Sequence, residues 1–305
     1  MSAEAVARVS GTVYSTAHML RILATTFAVL LGLCFGSFLN VCVSRWPEGE
    51  SIVHPRSHCR ACGRTLAWWE NIPLVSWVAL RGKCRTCGAG ISVRYVVVEA
   101  AVGVLWAVVV WEVIPEFPLL RVAETKAVAG AVAAMLLLWL LVALAVLDAE
   151  NLWLPNFLTL PGTVIGLAFR SLFYAAGNDF FRPGNPMRLF GMQVVGVFVA
   201  AGVILISRWL YWLIRRREGV GMGDVKLMAM LGAWLGLPGA LLALFIGIML
   251  GAVAAIGVLL KRRTGPSEAW AASKLPFGTF ICIGGIVSAL WGQPILTAYM
   301  RWAGF

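Results

Sequence analysis

Apolar stretches of about 20 residues, each long enough to cross the hydrocarbon of a bilayer, recur along nearly the whole of this 305-residue chain. Eight candidates stand out: 20–43, 95–113, 127–147, 156–175, 189–213, 224–236, 239–260 and 277–297. Lipid offers no water to bond the backbone, so a spanning segment must satisfy its own amides, and runs this continuously apolar do so as helices. The predicted fold class is an all-α polytopic membrane protein with about eight transmembrane helices. The sixth run is short and the turn Gly236-Leu-Pro-Gly239 is tight. Runs six and seven therefore form either two spans or one kinked unit, the latter giving seven.

Charge orients the bundle. The net charge is +11, and Lys and Arg gather in the connection 44–94, at Arg215-Arg216-Arg217, and at Lys261-Arg262-Arg263 with Lys274. The connections 114–126 and 176–188 hold far fewer. By the positive-inside rule the basic group faces the cytoplasm and both termini lie outside. Topology accounts for the charge, and no nucleic-acid partner is called for. The first run opens at Arg21 as a signal peptide would, but no small-residue cleavage site ends it and it continues into Asn40 and Arg45. It is read as a retained span.

The one long polar connection carries four of the seven cysteines, as Cys59-Arg-Ala-Cys62 and Cys84-Arg-Thr-Cys87, each pair followed by Gly63 or Gly88. Two such knuckles, 21 residues apart, predict a tetrahedral four-cysteine zinc site in a cytoplasmic loop between helices 1 and 2. Two disulfides are the rival, disfavoured by a compartment that keeps thiols reduced. So small a loop buries little core, so the metal supplies most of its folding energy. His58, next to Cys59, is a competing ligand, but four cysteines already complete the shell; His18 and His54 carry no signal. Cys34, Cys42 and Cys282 lie in apolar runs and read as small buried hydrophobes. Between the knuckles, Glu70 sits among Trp68, Trp69 and Trp77, and either binds a cation or pairs with a loop arginine.

Two aspartates stand at membrane boundaries, where desolvating a charge is expensive enough to call for a function. Asp148 closes the apolar run 131–147, and Asp224 ends Gly221-Met222-Gly223-Asp224 just before another run. Both fall on the cytoplasmic side, an agreement the span assignment did not build in. The two glycines are read as granting backbone freedom and close approach of another chain. Glu150 ranks below Asp148 because it lies further from the apolar boundary. Pro276 and Gly278 break the chain at the same membrane edge and line the same mouth. Asn40, with the small Gly36 and Ser37, serves helix packing or substrate contact. Arg45 is assigned to lipid headgroups, Arg170 to snorkelling at the outer end of its span, and Lys226 to headgroups in preference to tuning Asp224. No internal repeat, phosphate-binding glycine loop or nucleophilic serine motif emerges.

Two carboxylates a few ångströms apart do not both ionise cheaply and so share one proton. The ionised member takes a proton from water while the protonated one polarises a scissile carbonyl. The order of Gly36-Ser-Phe-Leu-Asn-Val41, Arg45, Pro47, the two C-x-x-C pairs, Glu70-Asn-Ile-Pro-Leu-Val-Ser-Trp77, Arg94-Tyr95 and Glu99 carries a resemblance, continued by Asp148, Leu158-Thr-Leu-Pro161, Gly221-Met-Gly-Asp-Val-Lys226 and Pro276-Phe-Gly278. On these residues the chain resembles the type IV prepilin peptidases, bifunctional leader peptidases and N-methyltransferases of pilus and type II secretion systems. One departure is Asn156, where the family often has an acid, although that position is not its catalytic aspartate.

The resemblance implies that Asp148 and Asp224 form a GxGD-type aspartyl-protease pair. They would cleave a short basic leader just after a glycine, at the cytoplasmic face of the bacterial inner membrane. The substrates would be type IV prepilin or pseudopilin precursors whose following helix lies in the lipid bilayer. It also implies methylation of the new N-terminal amine from S-adenosylmethionine by the part around Cys59, Cys62, Cys84 and Cys87, with Glu70 a candidate cofactor-binding residue. The expected division is 1–47 for an N-terminal segment and first helix, 48–94 for the zinc loop and methyltransferase part, and 95–305 for the peptidase core. The alternatives are a transporter or zinc-regulated membrane protein that couples protons or ions through its aspartates, and a presenilin-like peptidase. The first lacks matched broken halves, and the second usually sets its first aspartate after a tyrosine, deep in a span.

Overall fold

Each apolar run becomes a helix because nothing else satisfies its backbone in lipid. The computed structural model describes residues 3–113, 121–175, 186–217, 221–262 and 275–304. Much of the connections 114–126, 176–188 and 263–274, with Lys274, lies outside the described residues. The long helices are α1 (Ala3–Arg45), α3 (Arg94–Val113), α4 (Arg121–Asn151), α5 (Asn156–Ala175), α6 (Pro186–Arg215), α7 (Met222–Arg262) and α8 (Phe277–Trp302), with a short α2 (Val75–Ala79) in the loop. Among the described residues, six helices are long and apolar enough to cross a membrane. Phe27 and Val104, and separately Phe198 and Val253, are each more than 60% exposed, apolar side chains that only lipid covers without penalty.

The 41 residues of α7 would extend ~60 Å if straight, against a hydrocarbon thickness of ~30 Å. The helix is broken at Gly236 (φ 71°, ψ 175°) with Pro238 just beyond, a conformation reserved for glycine. Runs six and seven are thus two helical segments joined at one residue, the kinked unit that the tight turn suggested.

The chain divides into two compact units, Met1–Val142 and Ala143–Phe305, and α4 runs through the boundary. In the first, α1 packs on α3 in an antiparallel pair. A Cβ on Gly36 would stand 2.7 Å from the Cα of Glu99, and one on Gly32 2.9 Å from that of Gly103. With no hydrophobic drive between helices in lipid, such close backbone approach carries the association. Trp106 donates to the carbonyl of Met135 (3.1 Å) and Trp139 to that of Phe35 (3.3 Å), fastening the middle of α4.

In the second unit α7 packs against α5, α6 and α8. A Cβ on Gly232 would meet the carbonyl of Gly196 at 3.1 Å, and one on Gly247 the backbone of Ile281 at 3.0 Å. Arg170 does not snorkel outward. It donates to the carbonyl of Trp234 (3.0 Å) beside the Gly236 break, where an interrupted helix leaves carbonyls without their usual partners.

Candidate active site and metal centre

Asp148 and Asp224 are both 6% exposed, and each meets the amino-terminal end of a helix. Asp224 lies in the first turn of α7, where the exposed amides and the dipole favour a carboxylate. Asp148, near the C-terminal end of α4, reaches α8. Its Oδ2 accepts the Thr279 backbone N–H (2.6 Å) and the Thr279 hydroxyl (3.1 Å). Pro276, the residue before α8, offers no side-chain cap, so Asp148 supplies from another helix the acceptor that the orphan amides of α8 lack. The two carboxylates share a neighbour, Leu154, which packs against Gly223 beside Asp224 and against Gly278 beside Asp148. Two buried carboxylates brought together can hold one proton between them, the arrangement general acid–base chemistry requires.

Glycine at this site serves close approach and not unusual dihedrals. Gly221 and Gly223 are absent from the positive-φ residues. A Cβ on Gly223 would stand 2.9 Å from the Leu154 Cβ, and one on Gly278 2.8 Å from the Leu154 Cδ1 and 3.0 Å from the Asp148 Cγ. Leu154 is wedged against both positions. Lys226 donates to Asn156 Oδ1 at 2.5 Å, so the residue that departs from the family pattern is also the lysine's partner. Glu150 is exposed, unlike Asp148. Thr279 and Leu154 were missed by sequence reasoning; the Pro276–Gly278 break pointed at the first, and no sequence signal marks the second.

The four cysteines come together as expected, their sulfurs all within 4.8 Å of one another and all free of disulfides. The 3.8 Å between the sulfurs of Cys59 and Cys87 is about the edge of a tetrahedron built on Zn–S bonds of ~2.3 Å. The two knuckles prove to be a local repeat. Gly63 N–H donates to Cys59 O and Cys59 N–H to Arg64 O, while Gly88 N–H donates to Cys84 O and Cys84 N–H to Ala89 O. Gly63 and Gly88 take positive φ (70° and 69°) to close these turns. Amides of Cys87 and Thr86 hold the Cys84 thiol down to about 6, and those of Cys62 and Ala61 lower Cys59. At Cys87 the Ala89 amide lowers the value, but burial and the sulfurs of Cys84, Cys62 and Cys59 outweigh it and push the thiol up to about 11. Thiolates so crowded demand a cation, and the donor set fits zinc.

Glu70 resolves as an ion pair. Its buried carboxylate accepts Arg64 Nη2 (2.7 Å) and the Ala67 N–H (2.8 Å), and these partners, Arg64 first, hold it below the usual carboxylate range. The same pair closes the 3-10 turn Trp68–Asn71. Arg45 is buried, not at headgroups, and donates to the carbonyls of Ser51 (2.7 Å) and Pro55 (2.6 Å). Asn40 donates to the Tyr95 carbonyl (3.0 Å), a packing role. Glu99, inside α3, accepts the Leu74 N–H (2.8 Å), tying the loop to the helix pair. Cys42 and Cys282 are buried, whereas Cys34 is exposed.

The molecule is thus a multi-pass membrane protein with two buried carboxylates at helix ends and a four-thiolate metal module. Residues 30–113 match the bacterial Peptidase A24 N-terminal domain, and residues 135–256, which include both aspartates, match the Type IV leader peptidase family. The chain is 34% identical to a prepilin leader peptidase/N-methyltransferase of Aeromonas salmonicida, over 93% of this chain and 96% of the relative. It is 35% identical to one of Pseudomonas aeruginosa, over 96% and 98% respectively. One of Myxococcus xanthus is 41% identical over 80% of this chain and 65% of the relative. The chain belongs to the Type IV leader peptidase family. No solved structure matches it. These matches favour a bifunctional peptidase and methyltransferase over a transporter.

Proposed function

We propose that Asp148 and Asp224 are the acids of a membrane aspartyl endopeptidase that removes the leader from type IV prepilins or pseudopilins. One observation carries this reading: two buried carboxylates from segments far apart in sequence lie at helix amino termini, Asp148 on the first turn of α8 and Asp224 in the first turn of α7, with Leu154 packed against the glycine beside each. One acid, ionised, accepts a proton from water as the water attacks the scissile carbonyl. The other, protonated, donates to the carbonyl oxygen and later helps return a proton to the leaving amine. Thr279 holds Asp148 in position throughout. By the distribution of basic residues the site faces the cytoplasm of the inner membrane and the termini face the periplasm. Residues 48–94 then serve methylation of the new amine from S-adenosylmethionine, with 95–305 as the peptidase core. Zinc held by Cys59, Cys62, Cys84 and Cys87 would order that loop.

The test uses detergent-solubilised chain with purified prepilin, reading product mass with and without S-adenosylmethionine. Asp148→Asn and Asp224→Asn should each abolish leader loss, and the unaltered chain should add one methyl group. Cleavage undiminished in either variant overturns the pair.

A further inference from the structure

Within the first unit lies a cavity of about 470 Å³, inside the range of roughly 300–1,000 Å³ typical of small-ligand sites. Its two walls differ in kind. One is a stripe of α1, Ser37, Phe38, Val41 and Arg45, spaced so that they share one helix face. The other is loop: Arg56 and Ser57 on one strand of chain, Trp68 and Asn71 on the next. A membrane helix therefore faces a polar, metal-stapled loop across the same space.

We propose that this cavity binds the S-adenosylmethionine used for methylation, an inference that rests on the methyltransferase reading above. The lining offers groups for the adenine ring, the sulfonium and the methionyl carboxylate of that molecule. Trp68, 76% exposed, and Phe38, 46% exposed, offer aromatic faces for the adenine ring and, through cation–π attraction, for the sulfonium. Arg56 is exposed and Arg45 is committed, among the described residues, to two carbonyls out of five guanidinium N–H donors. Their charge suits the methionyl carboxylate. Asn71 at the rim brings both donor and acceptor.

The same geometry reassigns Glu70. Its carboxylate does not line the cavity; it is spent on Arg64 and the Ala67 amide. Ala67, Trp68 and Asn71, on either side of it, do line the cavity. Glu70 is a positioning residue that sets the turn carrying Trp68 and Asn71.

The position also explains how a soluble donor meets a lipid-embedded acceptor. Cleavage leaves a free amine at the start of a helix held in the membrane, and the α1 wall of the cavity is itself membrane helix. The neutral amine attacks the methyl carbon; the carbon–sulfur bond breaks with its electron pair going to sulfur, which becomes a thioether. The resulting ammonium releases one proton to water.

The experiment measures equilibrium binding of S-adenosylhomocysteine and of 5′-methylthioadenosine, which lacks the carboxylate, to full-length zinc-loaded protein in detergent. Variants are Trp68→Ala, Val41→Trp, which fills the cavity from the helix side, Arg56→Ala and Glu70→Gln, with Trp291→Ala as control. Bound zinc and melting temperature are read for each. Trp68→Ala and Val41→Trp should raise the Kd of both ligands at least tenfold. Arg56→Ala should raise that of S-adenosylhomocysteine severalfold and leave methylthioadenosine unchanged. If Trp68→Ala loses zinc, Val41→Trp decides, since it alters only the helix wall. Wild-type Kd values in zinc-retaining Trp68→Ala and Val41→Trp, with methyl transfer intact in the unaltered chain, overturn the cavity assignment alone. Neither binding nor methyl transfer by the unaltered chain overturns the methyltransferase reading and the cavity with it.

Discussion

Thr279 donates both its backbone N–H and its hydroxyl to a single oxygen of Asp148, 131 residues earlier in the chain. The hydroxyl also reaches the Ala145 carbonyl at 3.0 Å, so the first turn of α8 and the last of α4 are joined at the carboxylate itself. Thr279→Val removes the hydroxyl bonds and keeps the shape and the amide bond. A hydrogen bond to a charged group contributes about 1.5–3 kcal/mol, so kcat for leader removal should fall about 10- to 100-fold with KM little changed, and Thr279→Ser should restore it. Unchanged kcat in Thr279→Val would mean that the amide alone positions Asp148.

Two glycines separate site shape from bundle packing. A Cβ on Gly278 presses on Leu154 and Asp148, while one on Gly284 overlaps the carbonyl of Ala243 in the α7–α8 contact. Gly278→Ala should abolish cleavage with a modest change in melting temperature. Gly284→Ala should lower the melting temperature sharply, because rigid backbone cannot yield. Thermal unfolding beside cleavage assays distinguishes them.

Metal analysis of the purified chain should find one zinc. Cys84→Ser should lose it, since three thiolates leave the tetrahedron open. Chelation should expose residues 48–94 to protease and stop methyl transfer before it stops cleavage, because both aspartates lie in the other unit.

Acid should weaken the loop through Glu70. Arg64 and the Ala67 amide, with Arg85 nearby, hold its folded-state value below the ordinary one. A depressed carboxyl stabilises the fold above its unfolded value of about 4.3, and that contribution is lost as pH falls through the lower folded value. Zinc release adds its own acid sensitivity, so the comparison is with Glu70→Gln. The melting difference between the two should shrink as pH drops below about 4, and a constant difference would refute the linkage.

The Gly236 break should resist substitution. Gly236→Ala forces an L-residue to φ 71°, ψ 175°, an essentially glycine-only region, at roughly 1–3 kcal/mol, and brings a Cβ within 2.8 Å of the Arg170 guanidinium. The expected result is a lower melting temperature. Arg170→Leu should lower it as well, since the Trp234 carbonyl loses its donor.

Much was legible in sequence because lipid leaves the backbone few choices. The helices followed from apolar runs, the break in α7 from Gly236 and Pro238, and the metal site from two C-x-x-C pairs whose spacing is itself the ligand geometry. The polar side chains were harder. Arg45 and Arg170 were assigned to lipid headgroups or interfaces, the default for a long cation near a membrane boundary, and each instead donates to a backbone carbonyl of the chain. A local pattern shows that a cation lies near an interface but not whether an unsatisfied acceptor lies within reach.

The sequence by itself determined the class: an all-α membrane protein, a four-thiolate loop, and two acids at span ends whose order matches a known family. Those properties reside in local composition and spacing, which solvent transfer and metal geometry read directly. Only the tertiary structure decided that Asp148 caps α8 through Thr279, that Leu154 packs against Gly223 and Gly278, and that Glu70 supports a cavity wall without lining it. Each is a contact between segments distant in the chain, and such contacts are set by how helices close on one another, not by any residue's own preference.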